Sequence, residues 1–314
     1  MRARALVSAS PMIVRPRPHW LHLLFVRHGS ILPQILPQLL WALAFAIVVT
    51  LLHGQVLAWK IPLNFVPFSL IGLTLAIFLG FRNGTSYSRW WEARMLWGTL
   101  LVECRAAVRH GLTLVDGPEQ ASVLARRLIA LAHALRHQLR RSDASADLAR
   151  LLPPEEAARV AAARYPAAML LLMAGEWLGE MRRQGRIAAP LVPVLEAPLA
   201  QIGNALGGCE RIASTPIPFT YSVIIHRTIY SYCLLLPFGL VDAIGPMTPV
   251  IVAFIAYTFF ALEALGSEIE EPFGTAANDL ALDQLCWTIE TAVLESLGRS
   301  DAPPQPQARN FVLT

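Results

Sequence analysis

The sequence predicts an all-α membrane protein, with four transmembrane helices and a cytoplasmic helical body, and three observations carry that prediction. Mean hydropathy is +0.48, with 55% hydrophobic and only 15% charged residues, whereas about a quarter of a soluble domain is charged. No Asp, Glu, Lys or Arg falls between Arg27 and Lys60, or between Lys60 and Arg82. Each interval is long enough for the roughly 20 residues of a bilayer crossing. The middle of the chain, in contrast, alternates apolar residues with Arg at helical spacing.

The elements follow in order. Residues 1–28 form an N-terminal arm carrying Arg2, Arg4, Arg15, Arg17 and Arg27 and no acidic side chain, which places the N-terminus in the cytoplasm by the positive-inside tendency. Residues 29–81 hold spans one and two. Residues 82–216 form the cytoplasmic body, and from Arg82 to Arg211 17 Arg outnumber 12 acidic residues. Within it "ASVLARRLIALAHALRHQLRR" reads as an amphipathic helix with one buried stripe. Residues 217–265 hold spans three and four, "TIYSYCLLLPFGLV" and "AIGPMTPVIVAFIAYTFFAL". Residues 266–314 are a cytoplasmic C-terminal helix and tail. Their acidic excess is expected to pack on the basic N-terminal arm. The result is a multi-pass protein of the cell inner membrane with both termini cytoplasmic.

Several function classes are set aside. Cys104, Cys209, Cys233 and Cys286 have no C-x-x-C spacing, so a metal or redox site is not expected. The N-terminal residues lack the apolar core of a signal peptide. Glycine-rich phosphate loops, His-Glu zinc pairs and serine-hydrolase elbows are absent from the sequence, so neither enzyme activity nor a cofactor is expected. Arg outnumbers Lys 25 to 1. In so Ala-rich a chain this reads as codon composition, with solvated or paired basic faces and no nucleic-acid partner.

The informative stretch is "SLIGLTLAIFLGFRNGTSYSRWWEARMLWG", Ser69 to Gly98, an apolar run that turns within one residue into Arg, Asn, Glu and Trp. On a helix Leu73, Ile77 and Phe81 stand at i, i+4 and i+8 along one stripe, while Gly72, Thr74, Ala76 and Gly80 are small enough for close helix approach. The stripe fits either a partner helix or a pore. Beyond it Arg89 and Glu92 read as a structural ion pair where the helix leaves lipid. Arg227 and Glu263 each lie 18 residues from Gly245 in the turn "DAIGPMTP". Equal counts give equal depth, about 27 Å below the turn, and the two are expected to pair; the alternative is that Arg227 snorkels to phosphate headgroups.

"FRNGTSYSRWWEARMLWG", "GGCERIASTPIPFTYS" and "EALGSEIEEPFG", in this order, resemble the bacterial branch of the bestrophin family. The likeness runs from about Ile31 to Leu297. It implies a homopentameric ion channel in which the second membrane helix of each subunit lines a hydrophobic neck. Aligned on the Arg-Trp-Trp of "SRWWE", the family's neck positions fall on Leu73, Ile77 and Phe81. A second constriction at the cytoplasmic exit is assigned to "LVPVLEAP", with Leu191, Val192, Val194 and Leu195 as candidates. Calcium-gated animal members carry an acidic run after the equivalent Pro-Phe-Gly. Ala276, Ala277 and Asn278 stand there in this chain, leaving Asp279 and Asp283, which argues against a calcium site needing six to eight oxygens. The expected activity is passage of small monovalent ions, cations favoured over anions. The alternatives are a secondary transporter, which normally shows an internal repeat, and a non-conducting membrane scaffold.

Overall fold

The computed structural model describes residues 19–23, 26, 29–56, 59–60, 63 and 65–308. Most of the expected N-terminal arm, 1–28, and its packing with the tail therefore lie outside the described residues. The described chain is almost wholly helical. Its elements are α1 (Trp20–Leu23), α2 (Leu32–Leu51), β1 (Gln55–Val56), β2 (Trp59–Lys60), α3 (Phe65–Thr113), α4 (Ala121–Arg140), α5 (Ser145–Leu151), α6 (Pro154–Ala161), α7 (Pro166–Arg183), α8 (Val192–Ser214), α9 (Phe219–Ile244), α10 (Thr248–Glu270) and α11 (Leu282–Ser296). The two strands form a minimal antiparallel pair, Val56 opposite Trp59. Residues 91–215 and 272–308 form one compact unit, and 19–90 and 216–271 the other.

In the second unit α2, the start of α3, α9 and α10 share one apolar core. α2 opens on Leu32-Pro33, where the missing N–H of proline costs nothing, and Ser30 Oγ accepts the Leu32 amide at 3.2 Å. Ala42 and Ala46 on α2 and Val252 and Ala256 on α10 are fully buried. Small residues one turn apart let the two helices approach closely. From α3 come Phe68, Leu75 and Leu79, and from α9 Ile225, Ile229 and Leu236. Gly239 is required where α9 meets α3: a Cβ there would stand 2.6 Å from the Phe68 ring. α2, α3 and the stretch of α9 and α10, Phe219–Glu270, are each long and apolar enough to cross a membrane.

α3 does not end where its lipid-like composition ends. It runs unbroken for 49 residues, about 73 Å at 1.5 Å per residue. The sequence change at Arg82 marks a change of surroundings, not a helix terminus. None of the residues from Arg82 to Gly98 is proline, and two hydroxyls that could compete with the backbone instead bond back along the helix: Thr85 Oγ1 to Phe81 O at 3.0 Å and Ser88 Oγ to Gly84 O at 2.9 Å.

The first unit is built around α4. The expected single buried stripe is exceeded, because Leu128 through Leu135 are all buried. α4 packs against α5, α7, α8 and α11, and Ala130, Ala132 and Ala134 between the larger residues let it be enclosed on several sides. A left-handed Arg141, φ 53°, closes the helix. α8 stops at Ser214 and α9 starts at Phe219. The intervening Thr-Pro-Ile-Pro cannot continue a helix, since each proline lacks an N–H and disfavours α geometry in the residue before it. The described tail lies on α11 of its own chain, with Trp287 Nε1 donating to Pro303 O at 2.8 Å.

Candidate functional site

The neck candidates occupy an uncovered face. Leu73 is 61% exposed, Ile77 49% and Phe81 66%, while Leu75 and Leu79, on the same helix, are buried in the core. Within the subunit, then, the stripe is not a packing surface. An uncovered row of large apolar side chains on a helix of a membrane protein faces lipid, another copy or an ion path. Beside it, Leu70, Thr74 and Phe78 line an apolar cavity of about 450 Å³ together with Tyr221 and Ile224 of α9.

Just past the stripe the helix is clamped. Arg82 is only 3% exposed and reaches three successive partners on α10. Nη2 donates to Ser267 Oγ at 2.8 Å and to Glu270 Oε2 at 3.3 Å, and Nη1 to the Glu263 carbonyl at 3.4 Å, with the Glu263 carboxylate 3.8 Å away. Asn83 Nδ2 donates to Leu262 O at 3.1 Å, and Arg89 Nε to Glu270 O at 3.1 Å. The sequence prepares this contact at Gly266, where a Cβ would fall 2.1 Å from Asn83 Oδ1. A larger residue here would push the Asn83 amide aside from its place between α3 and α10.

Two expected ion pairs are therefore corrected. Glu263 lies beside Arg82 and, at 3.7 Å, His226 Nδ1, and not beside Arg227. Counting from Gly245 fixes depth along two helices but not direction round them, and Arg227 is exposed on another face of α9. Glu92 forms its ion pair with Arg211 of α8, while Arg89 turns to the end of α10. The two stand three positions apart on one helix, yet each has a partner on a neighbouring element. Of the constriction candidates, Leu195 is corrected as well: it is 4% exposed, packed into the body, and offers nothing to an ion path. Val194 is exposed, and Leu191 and Val192 are half-buried.

The acidic segment after Pro272 is occupied by protein. Asp279 Oδ2 accepts the Ala276 amide at 2.7 Å, and Asp283 bridges Arg136 at 2.8 Å and Arg140 at 3.2 Å. Sequence reasoning missed the charged cluster next to it. His133 Nε2 lies 2.9 Å from Glu290 Oε2, and Arg150 donates to both Glu290 oxygens, at 2.5 and 3.0 Å. Asp147 takes Arg136 at 2.7 Å and His137 at 3.0 Å. Its 3.4 Å approach to His133 Nδ1 is an ionic contact without hydrogen-bond alignment. Burial opposes charge on His133, but Asp147 and Glu290 outweigh it and raise its pKa above the ordinary value. Burial likewise opposes charge on Glu290, while His133 and Arg150 bring its pKa down to about 2. The signal in sequence was His133, Arg136 and Arg140 at i, i+3 and i+7 on α4, one face of a helix. The four cysteines are free and buried, and burial pushes the Cys209 thiol up to about 12.

Comparison with known proteins gives consistent matches. The family model described as "Bacterial/Fungal Bestrophin protein" matches residues 12–295. A voltage-dependent anion channel-forming protein of Ralstonia nicotianae is 47% identical over 309 residues, covering 96% of this chain and 100% of its own. The voltage-dependent anion channel-forming protein YneE of Escherichia coli is 45% identical, over 93% of this chain and 96% of its own. The crystal structure of a bacterial bestrophin homologue from Klebsiella pneumoniae superposes with a TM-score of 0.82 at 41% identity, covering 85% of this chain and 99% of that one.

Proposed function

The chain belongs to the bacterial and fungal bestrophin family, and from that premise we propose that it assembles as a homopentamer in the cell inner membrane and conducts small monovalent ions through an apolar neck. The observation that carries the proposal is the uncovered stripe Leu73, Ile77 and Phe81 on a helix whose opposite face is packed. Five copies of the stripe around one axis make three apolar rings. Such rings offer ions no strong binding site, and when narrow they dewet and close. The neck is thus a gate, and Leu191, Val192 and Val194 are the residues left to form the exit constriction.

The apolar cavity beside the stripe supports a ring. At 100° per residue, Leu70, Thr74 and Phe78 are displaced from the stripe by about 60° round α3, close to the roughly 54° at which neighbours stand in a five-membered ring. Each copy would cross the membrane four times, through α2, the first part of α3, α9 and α10, with both termini cytoplasmic. The cation preference implied by the resemblance is not carried forward: relatives of this chain are named as anion channels, and an apolar neck has no charge with which to select.

The test is single-channel recording of the purified protein in planar bilayers under asymmetric salt, with native mass spectrometry of the same sample. The expected results are discrete currents, a mass of five chains, and a reversal potential that gives the sign of the permeant ion. An assembly other than five, or silent bilayers containing verified protein, overturns the proposal.

A further inference from the structure

Arg227 is a charge of the membrane unit that the fold leaves unanswered. It is exposed, it has no ion pair or hydrogen bond among the described residues, and it sits 18 residues from the Gly245 turn. That is about 27 Å of helix, so it lies near the inner edge of a hydrocarbon layer about 30 Å thick. An uncompensated cation at this depth is costly. The carboxylate at its own level, Glu263, is already held by Arg82.

The surroundings of Arg227 specify what completes it. A cavity of about 260 Å³ is lined by Phe68 and Ile71 of α3 and by Arg227, Thr228, Ser231, Tyr232 and Leu235 of α9; Ile71 and Thr228 separate it from the larger cavity beside the neck stripe, which they also line. Arg227, Ser231 and Leu235 are exposed at i, i+4 and i+8, a single stripe that runs from guanidinium through hydroxyl to aliphatic. Leu235 lies eight residues nearer the external turn, about 12 Å toward the bilayer centre, the direction in which the acyl chain of an inner-leaflet lipid extends from its phosphate. On α3, Ile71 and Phe68 stand about 120° and 180° round the helix from the neck stripe. With that stripe toward the axis, the part of the cleft that holds Arg227 lies beyond Ile71, on the side away from the stripe, which is the lipid side.

We propose that this cavity binds one anionic phospholipid of the inner leaflet, with its phosphodiester on Arg227 and Ser231 and the start of an acyl chain along Ile71, Phe68 and Leu235. Guanidinium suits phosphate because its donors form a planar fork that remains charged. The proposal goes beyond conduction: it uses the membrane-spanning reading of α9, with the neck supplying only the outward direction, and it is tested without current measurement.

The experiment uses the full chain in detergent, titrated with phosphatidylglycerol, with phosphatidylcholine of the same acyl chains, and with inorganic phosphate. Thermal unfolding and native mass spectrometry are the readouts. Phosphatidylglycerol is expected to protect and to be retained; phosphatidylcholine carries the same phosphodiester, but its choline cation neutralises the headgroup and is repelled by Arg227, so it should do so about tenfold less well; inorganic phosphate, without an acyl chain, should not protect. Arg227→Gln should abolish the preference, Arg227→Lys should keep part of it, and Leu235→Trp, which leaves the charge but fills the tail slot, should weaken binding of phosphatidylglycerol. Equal binding of the two lipids, retention of the preference in Arg227→Gln, or equal protection by inorganic phosphate overturns the proposal. If Arg227→Gln does not assemble, the comparison of lipids on the unaltered protein, together with Leu235→Trp, decides it.

Discussion

Replacing Arg82 by Met tests the clamp between α3 and α10. Met fills much of the same length without charge, so the change removes the hydrogen bonds to Ser267, Glu270 and the Glu263 carbonyl while leaving the space occupied. Breaking a buried ion pair by deleting one partner costs about 3 to 5 kcal/mol, because the other charge stays uncompensated. The side chains of Glu270 and Glu263 are 13% and 20% exposed, so water can relieve part of the penalty, and the loss is expected near the lower end, about 3 kcal/mol. A double-mutant cycle of Arg82→Met with Glu270→Gln should show a coupling of about 1.5 to 3 kcal/mol. The same cycle on Arg227→Ala with Glu263→Gln should show none. The assay is unfolding of the purified protein in detergent under conditions that preserve assembly. A loss below about 1 kcal/mol for Arg82→Met, or measurable coupling between Arg227 and Glu263, refutes the argument.

Three further outcomes are expected. Replacing Leu73, Ile77 and Phe81 together by Ala should raise conductance or open time in bilayers, with little loss of subunit stability because none of the three is packed; equal currents from variant and parent at equal density would remove them from the gate. Glu290, held at about 2 against an ordinary 4.5, contributes stability that is present above 4.5 and lost as pH falls toward 2; His133, raised above 6.5, contributes stability present below 6.5 and lost as pH rises through its folded value. Glu290→Gln should therefore lower stability at neutral pH and flatten the acid limb of a stability profile, and an unchanged acid limb counts against the cluster. Currents should persist when cytoplasmic-side calcium is chelated, since Asp279 and Asp283 are held by protein groups; abolition by chelator with recovery on calcium addition contradicts this.

What was legible in the sequence was set by one-dimensional pattern. Charge-free intervals located the apolar helices, and the i, i+4, i+8 spacing located the stripe. The Pro-rich break before α9 was equally plain. What was not legible depended on direction round a helix and on neighbours distant in the chain. Glu263 was matched in depth with Arg227, but a third helix brings Arg82 into the place an ion partner must occupy. Leu195 was grouped with Val194 by adjacency, although consecutive residues on a helix differ by about 100° in direction. The enclosure of the middle of α4 was hidden because Arg126, Arg127, Arg136 and Arg140 look like a solvated face until partners, such as Glu156 for Arg127 and Asp283 for Arg136, are brought in from elsewhere.

The continuity of α3 makes Phe81 and Arg82 adjacent teeth on a single shaft. Arg82 is keyed into α10 by side-chain and carbonyl oxygens, and with no break between them the azimuth of Phe81, and of Ile77 and Leu73 above it, is indexed to that key. Inserting or deleting one residue between Leu73 and Arg82 turns the upstream part of the stripe by about 100° relative to the key, although composition and hydropathy barely change. The tolerance of this segment is therefore for substitution and not for length, and the aim of the apolar side chains is held by a residue that itself faces the other way.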